Sequence, residues 1–114
     1  MKAKVIATFH VVGFHYWPKA PEEVSYLQIK HRHLFKIKGE AEVVDHDREL
    51  EFHTLGMTMR RALIESYQPH RSMQGFDFGA QSCEHIAAAI LSCVLELSAC
   101  EVWEDDENGS RVER

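Results

Sequence analysis

Two histidines stand one residue apart in Lys30-His31-Arg32-His33-Leu34-Phe35, and a third, His15, closes a strand-like run earlier in the chain. A β-strand places residues i and i+2 on one face, so His31 and His33 can aim two imidazoles at a single point while His15 reaches it from a neighbouring strand. Three neutral imidazoles with one open position form the ligand set of a catalytic zinc. In a chain with eight histidines, the plainer alternative is two half-exposed strand side chains with no ligand. A second group of chemical interest comes late. In Cys100-Glu101-Val102-Trp103-Glu104 the alternation puts Glu104 on the face of Cys100 and Val102, an acid on an otherwise apolar face. Such a carboxylate is costly unless paired, and its alternative is a surface acid in an acidic stretch.

These side chains need elements to hold them. Residues 3 to 15 alternate loosely and are rich in Val, Ile, Thr and Phe, which predicts a strand with His15 continuing its apolar face. Pro18 and Pro21 make Trp17 to Glu23 a loop. From His31 a half-buried strand returns, with His31, His33, Phe35 and Ile37 on one face and Arg32, Lys36 and Lys38 on the other. It continues through Val43 and Val44 after a turn or bulge at Gly39. Phe52, Leu55, Met59, Ala62, Leu63 and Ser66 recur at helical spacing, giving an amphipathic helix over 53–66 that Gln68-Pro69 ends. A loop from Pro69 to Gln81 leads to Ser82, an N-cap, and a second helix whose buried stripe runs Ile86, Ala89, Ile90, Cys93, Val94, Leu97. Cys93 is read as core. Cys83 falls in the first turn of this helix, where the dipole lowers a thiol's pKa; the alternative is a small buried residue. Cys100 to Glu104 is a strand, and Asn108-Gly109 signals a type I′ hairpin before a last strand from Ser110 to Arg114.

The order is strand, strand, helix, helix, strand, strand: an α+β chain with a four-stranded antiparallel sheet and two helices on one face. At 114 residues it reads as one domain, spanning 1–114 and burying roughly two-thirds of its unfolded surface. The open face and free edges of so small a sheet are most simply covered by oligomerising edge to edge into a barrel. A net charge of −5 argues against a binder of nucleic-acid phosphates. No apolar run approaches the roughly 18 residues needed to span a bilayer. Three cysteines without C-x-x-C spacing suit a reducing compartment, so a cytoplasmic protein is expected.

Four segments, taken in order, carry a resemblance: Phe9-x5-His15, His31-Arg32-His33, Ala80-Gln81-Ser82-Cys83-Glu84-His85-Ile86-Ala87, and Cys100-Glu101-Val102-Trp103-Glu104-Asp105 to Gly109. They resemble, respectively, the first-strand motif ending in a zinc histidine, the His-Gly-His pair, the Pro-Thr-Ser-Glu-x-Leu-Ala helix start and the late pterin-gripping glutamate strand of one family. That is the tunnelling-fold family of 6-pyruvoyltetrahydropterin and 6-carboxytetrahydropterin synthases, the latter acting in 7-deazaguanine (queuosine precursor) synthesis.

The resemblance implies Zn²⁺ held by His15, His31 and His33, acting as a Lewis acid on oxygens of the substrate side chain. It implies Glu104 as the anchor of a pterin's 2-amino and ring N–H donors, Ser82 as a pocket contact, and Glu84 as either a ring contact or a helix-capping acid. It also implies a homo-oligomer, a hexamer of two stacked trimers with pockets at subunit interfaces. Departures are informative. Leu27 stands where the carboxytetrahydropterin synthases carry a cysteine, leaving Cys83 as the candidate thiol. His70 can stand for the histidine of the family's Asp-His relay, but Gln68 and Pro69 offer no aspartate to orient it. Arg32 replaces the glycine between the paired histidines. The implied function is a zinc-dependent lyase of the 6-carboxytetrahydropterin synthase type acting on dihydroneopterin triphosphate. The alternatives are a catalytically impaired pterin- or purine-binding protein of the same fold, or a related reaction using another base such as His70 or Tyr26.

Overall fold

A computed structural model describes residues 1–72 and 74–114. Two thirteen-residue strands dominate it: β1 (Ala3–His15) and β2 (His31–Val43). They pair antiparallel without interruption from Ala3↔Val43 to His15↔His31, as the run of β-branched and aromatic residues predicts. After β2 come α1 (Phe52–Ser66), β3 (Gln68–Pro69), β4 (Phe76–Gly79), α2 (Cys83–Cys93), β5 (Ala99–Glu104) and β6 (Asn108–Glu113). A short 3₁₀ segment, Glu22–Gln28, follows the two-proline loop.

The α+β class stands, but the sheet has six strands instead of four and is mixed, in the order β3-β4-β1-β2-β5-β6. The two additional strands come from the stretch expected to be loop, and β4 lies parallel to β1. Neither β3 nor β4 is long enough to display a period of two. What makes β4 a strand is tertiary: Phe78 is buried against Phe35, ring centroids 5.0 Å apart, and the pairing covers the free edge of β1.

Directly paired residues share a face, so the register defines the helix-covered side: Ala7, Phe9, Phe35, Ile37, Cys100 and Val102 at its centre, with His15, His31, His33 and Glu104 at one end. Leu55, Met59, Ala62 and Leu63 of α1 and Ile86, Ala87, Ile90 and Leu91 of α2 bury against this centre. Glu51 caps α1 by accepting the amides of His53 and Thr54 at 2.7 and 2.9 Å. Ser82 caps α2, its hydroxyl accepting the His85 amide at 3.2 Å.

Four local expectations are corrected. Gly39 is neither turn nor bulge: β2 runs through it, and a Cβ there would lie 2.6 Å from Met59 Sδ and 2.8 Å from Leu97 Cδ2, so glycine is present to admit α1. The hairpin does not turn at Asn108-Gly109, which lie in β6. It turns at Asp105 and Asp106, both at positive φ (53° and 57°), with the Glu107 amide donating to the Glu104 carbonyl at 2.9 Å. Gly109 instead leaves room for the cross-strand indole of Trp103, which an added Cβ would meet at 2.5 Å. Cys93 is exposed, not core, because α2 ends there and Val94, the residue after it, takes the inward position. Phe52, counted on the buried stripe of α1, is likewise exposed.

The open face carries charge. Arg111 of β6 donates to Glu40 of β2 at 2.6 and 2.8 Å and to Glu101 of β5 at 2.7 Å, with Lys4 and Lys38 at 3.5 Å from Glu40. The Arg111 guanidinium holds the Glu40 carboxyl at about 2, against the opposing effect of its burial. A carboxylate whose folded pKa is depressed stabilises the fold fully above its unfolded pKa and loses that contribution as pH falls through the folded one. Stability should therefore fall between about pH 4.5 and pH 2 by up to roughly 3 kcal/mol from this group. In Arg111→Met that component of the acid transition should move toward pH 4.5, which urea titrations at several pH values would show.

Candidate metal centre

The ladder of β1 and β2 sets the three histidines. His15 and His31 are direct partners, and His33 lies two residues along opposite Gly13, so all three rings rise from one end of the helix-covered face. Their centroids form a near-regular triangle of 4.8, 4.9 and 5.3 Å. One nitrogen from each can be chosen so that all lie within 4.8 Å of one another. Phe35 forms the apolar floor, edge-on to His15 and His33.

Each ring is fixed through its outer nitrogen. His15 Nδ1 donates to the Gln81 carbonyl at 2.9 Å, His31 Nδ1 to the Ile29 carbonyl at 2.8 Å, and His33 Nδ1 to Asp105 Oδ2 at 2.5 Å. Outer-nitrogen hydrogen bonds of this kind select the tautomer that leaves Nε2 free to ligate, which is how metal-binding histidines are prepared. Among the described residues, His33 Nε2 is buried with no hydrogen-bond partner. A divalent cation of the zinc class fits this donor set: an orphaned inward nitrogen, two more beside it, and acceptors behind all three.

Glu104, reached from β5, faces the same point. Its Oε1 is 3.1 Å from His15 Nε2 and its Oε2 3.4 Å from His33 Nε2. Burial is the largest influence on His15 and pulls its pKa down. The hydrogen bond and charge of Glu104, with the Gln81 carbonyl, outweigh it and leave the imidazole above its ordinary value. The hydrogen bond from His15 holds the Glu104 carboxyl below the usual range, burial opposing. The costly acid of the sequence pattern is thus paired within the chain.

A cavity of about 460 Å³ opens beside the histidines, walled by Leu27, the first turn of α2 and the β5–β6 hairpin. Ser82, Cys83 and Glu84 all line it. The Glu84 carboxylate accepts from Ser110 Oγ at 2.5 Å, so it ties α2 to β6. The Cys83 thiol, buried, donates to Glu104 Oε1 at 3.8 Å; burial, followed by the charges of Glu104 and Glu84, pushes it up to about 12. The helix dipole argument for an ionised Cys83 is therefore outweighed by its surroundings. His70 does not line this cavity. It stacks on Phe14 at 3.6 Å between centroids, and Phe14 faces away from its neighbour His15. Tyr26 is exposed. Sequence reasoning missed Asp105 and the Gln81 carbonyl, the supports of two histidines. No local signal marks either, because both act across more than 60 residues.

No protein-family model and no curated protein sequence matches the chain. Solved structures do. An uncharacterized protein from Wolinella succinogenes superposes with a TM-score of 0.68 at 11% identity, over 100% of this chain and 99% of that one. A 6-pyruvoyl tetrahydropterin synthase from Caenorhabditis elegans superposes with a TM-score of 0.61 at 9% identity, over 100% and 96%. These likenesses show the fold: the chain has the pterin-synthase-like α+β architecture, and its histidine triad could bind a metal. Among the described residues, no helix is long and apolar enough to cross a membrane.

Replacing His31 by Ala should abolish stoichiometric zinc uptake while leaving the far-ultraviolet circular dichroism unchanged. Asp105→Asn, which keeps a residue tolerant of the left-handed backbone, should weaken zinc binding about 10–100-fold through the support of His33. Elemental analysis and chelator competition read both.

Proposed function

We propose that the chain is a zinc-dependent lyase of the 6-carboxytetrahydropterin synthase type, acting on dihydroneopterin triphosphate in pterin or 7-deazaguanine biosynthesis. The observation that carries the reading is the convergence of three tautomer-fixed imidazoles and the Glu104 carboxylate at one end of a cavity. A fold shared with a named pterin synthase supports it. Zinc, when bound, supplies Lewis acidity at oxygens of the substrate side chain. The chain's own residues do the rest: Glu104 accepts the amino and ring N–H donors of the heterocycle, and Ser82 and Glu84 bound its edge. Cys83, protonated, is placed to donate a hydrogen bond.

His70 enters only if a second copy supplies it. The cavity is bounded by Asn108 and Ser110 of edge strand β6, and His70 directly follows edge strand β3. Edge-to-edge closure of β6 on the next copy's β3 would bring the two together, which favours a ring-shaped homo-oligomer, a hexamer of two trimers. The exposed Ile6 and Leu34 on the open sheet face are consistent with such a closure.

Two features favour the second reading, a pterin- or purine-like ligand binder with little turnover: Leu27 is an apolar wall where the family's thiol belongs, and burial beside Glu104 pushes the Cys83 thiol up to about 12. A positioned acid or base contributes about 10²–10⁴-fold to rate, so its loss weakens turnover far more than affinity. Incubation with dihydroneopterin triphosphate should therefore show slow conversion to 6-carboxytetrahydropterin, increased in Leu27→Cys with little change in affinity. Glu104→Ala should lose pterin binding first. Family-like turnover unaffected by Cys83→Ala and His70→Ala would reject this assignment of the proton-transfer groups, and a monomeric mass by light scattering would reject the ring.

A further inference from the structure

We infer that Glu104 is itself the fourth protein ligand of this metal, closing a His15, His31, His33, Glu104 tetrahedron until a ligand displaces it. The inference extends the metal assignment above and rests on it. Neighbouring donors in a tetrahedral zinc site with bonds of about 2.0–2.2 Å stand about 3.4 Å apart. Glu104 Oε1 is 3.1 Å from His15 Nε2 and its Oε2 is 3.4 Å from His33 Nε2, so each carboxylate oxygen already stands at about that separation from one inward imidazole nitrogen. Register places the carboxylate there: Glu104 pairs with Phe35, on the same face as His33 two residues away.

The charge accounting points the same way. No lysine or arginine lines the cavity among the described residues, so a half-buried carboxylate must be answered by the histidines. One divalent cation satisfies the carboxylate and the three imidazoles together. Because each Nδ1 already donates to another acceptor, Glu104 has no outer-nitrogen hydrogen bond to make with these rings and stands on their ligating side. The Cys83 thiol donates to the same carboxylate and helps set its rotamer.

Glu104 then has two successive partners. In the ligand-free protein it occupies the exchangeable position. A ligand that takes that position must bring an oxygen donor for the metal and N–H donors for the released carboxylate, the combination of an amino-substituted nitrogen heterocycle with a hydroxylated side chain. An apolar or purely anionic ligand offers only one of the two or neither.

The test uses full-length protein stripped by chelator and reloaded with Co²⁺, whose visible absorption reports coordination. The parent should give an intense tetrahedral spectrum. Glu104→Gln and Glu104→Ala should shift and weaken it as water enters, and should loosen Co²⁺ by more than about 100-fold, beyond the 10–100-fold expected for an outer-shell partner. X-ray absorption of the zinc-loaded parent, which requires no variant to fold, should show three imidazoles and one carboxylate. Superimposable Co²⁺ spectra and affinities within threefold across the variants, or three imidazoles with water in the parent, would overturn the inference. That result would leave the pterin-anchor role intact, read separately by pterin fluorescence titration. Loss of coordination in the variants together with no pterin binding by the parent would uphold the fourth ligand and reject the proposed function.

Discussion

The continuous pairing of β1 with β2 is the constraint on which the rest depends. Along thirteen residues each cross-strand pair shares a face, and the last pair is His15 with His31. A slip of one residue in either strand would send its alternate set to the other side, exchanging Phe9, Val11 and His15 for His10, Val12 and Phe14. Core formation and histidine convergence therefore stand or fall together. The apolar residues at the centre of the face select the register, since burying Phe9, Phe35 and Ile37 is what stabilises it. The imidazoles at the end inherit their positions from that selection.

The same face changes character along its length. Up to Phe35 and Val102 it is closed by α1 and α2; beyond them the side chains are His33, His31, His15 and Glu104, and the cover is a cavity instead of a helix flank. Phe35 belongs to both parts, packing on Phe78 in the core and edge-on to two histidines above it. The polar end is tolerable because its outward nitrogens are hydrogen-bonded, two of them to backbone carbonyls. The hairpin at Asp105 contributes in two ways, reversing the chain at positive φ and delivering one carboxylate oxygen to His33 and the other to the Leu34 amide.

Features governed by period and by local propensity were legible in the sequence: β1 over residues 3–15, the outward and inward faces of β2, the body of α1, and Ser82 as a cap. Features decided by a distant contact were not. Gly39 looks like an interruption until Met59 and Leu97 are seen to need its missing side chain. Asn108-Gly109 has the residue types of a type I′ turn, yet the stacking of Trp103 over Gly109 draws that dipeptide into the ladder and leaves two aspartates in the left-handed region. The strand Phe76–Gly79 is too short for alternation and exists because β1 has an edge to cover. The histidine set was readable for the same reason as the strands, being spaced by two. Asp105 and the Gln81 carbonyl were not, since their value depends on where the β5–β6 hairpin and the loop before α2 come to rest.

Glu104 shows how far such reading extends. Alternation alone identifies an acid on an apolar face, and solvation physics says that it needs a partner, but neither says which. The fold supplies histidines at ligand spacing, so the partner is internal before any ligand arrives. A ligand therefore meets a carboxylate already engaged, and its affinity is the difference between what it offers and what it disrupts. That difference favours molecules whose own donors can replace the histidines at the carboxylate, which makes the histidine-glutamate pairing a source of selectivity as well as of stability.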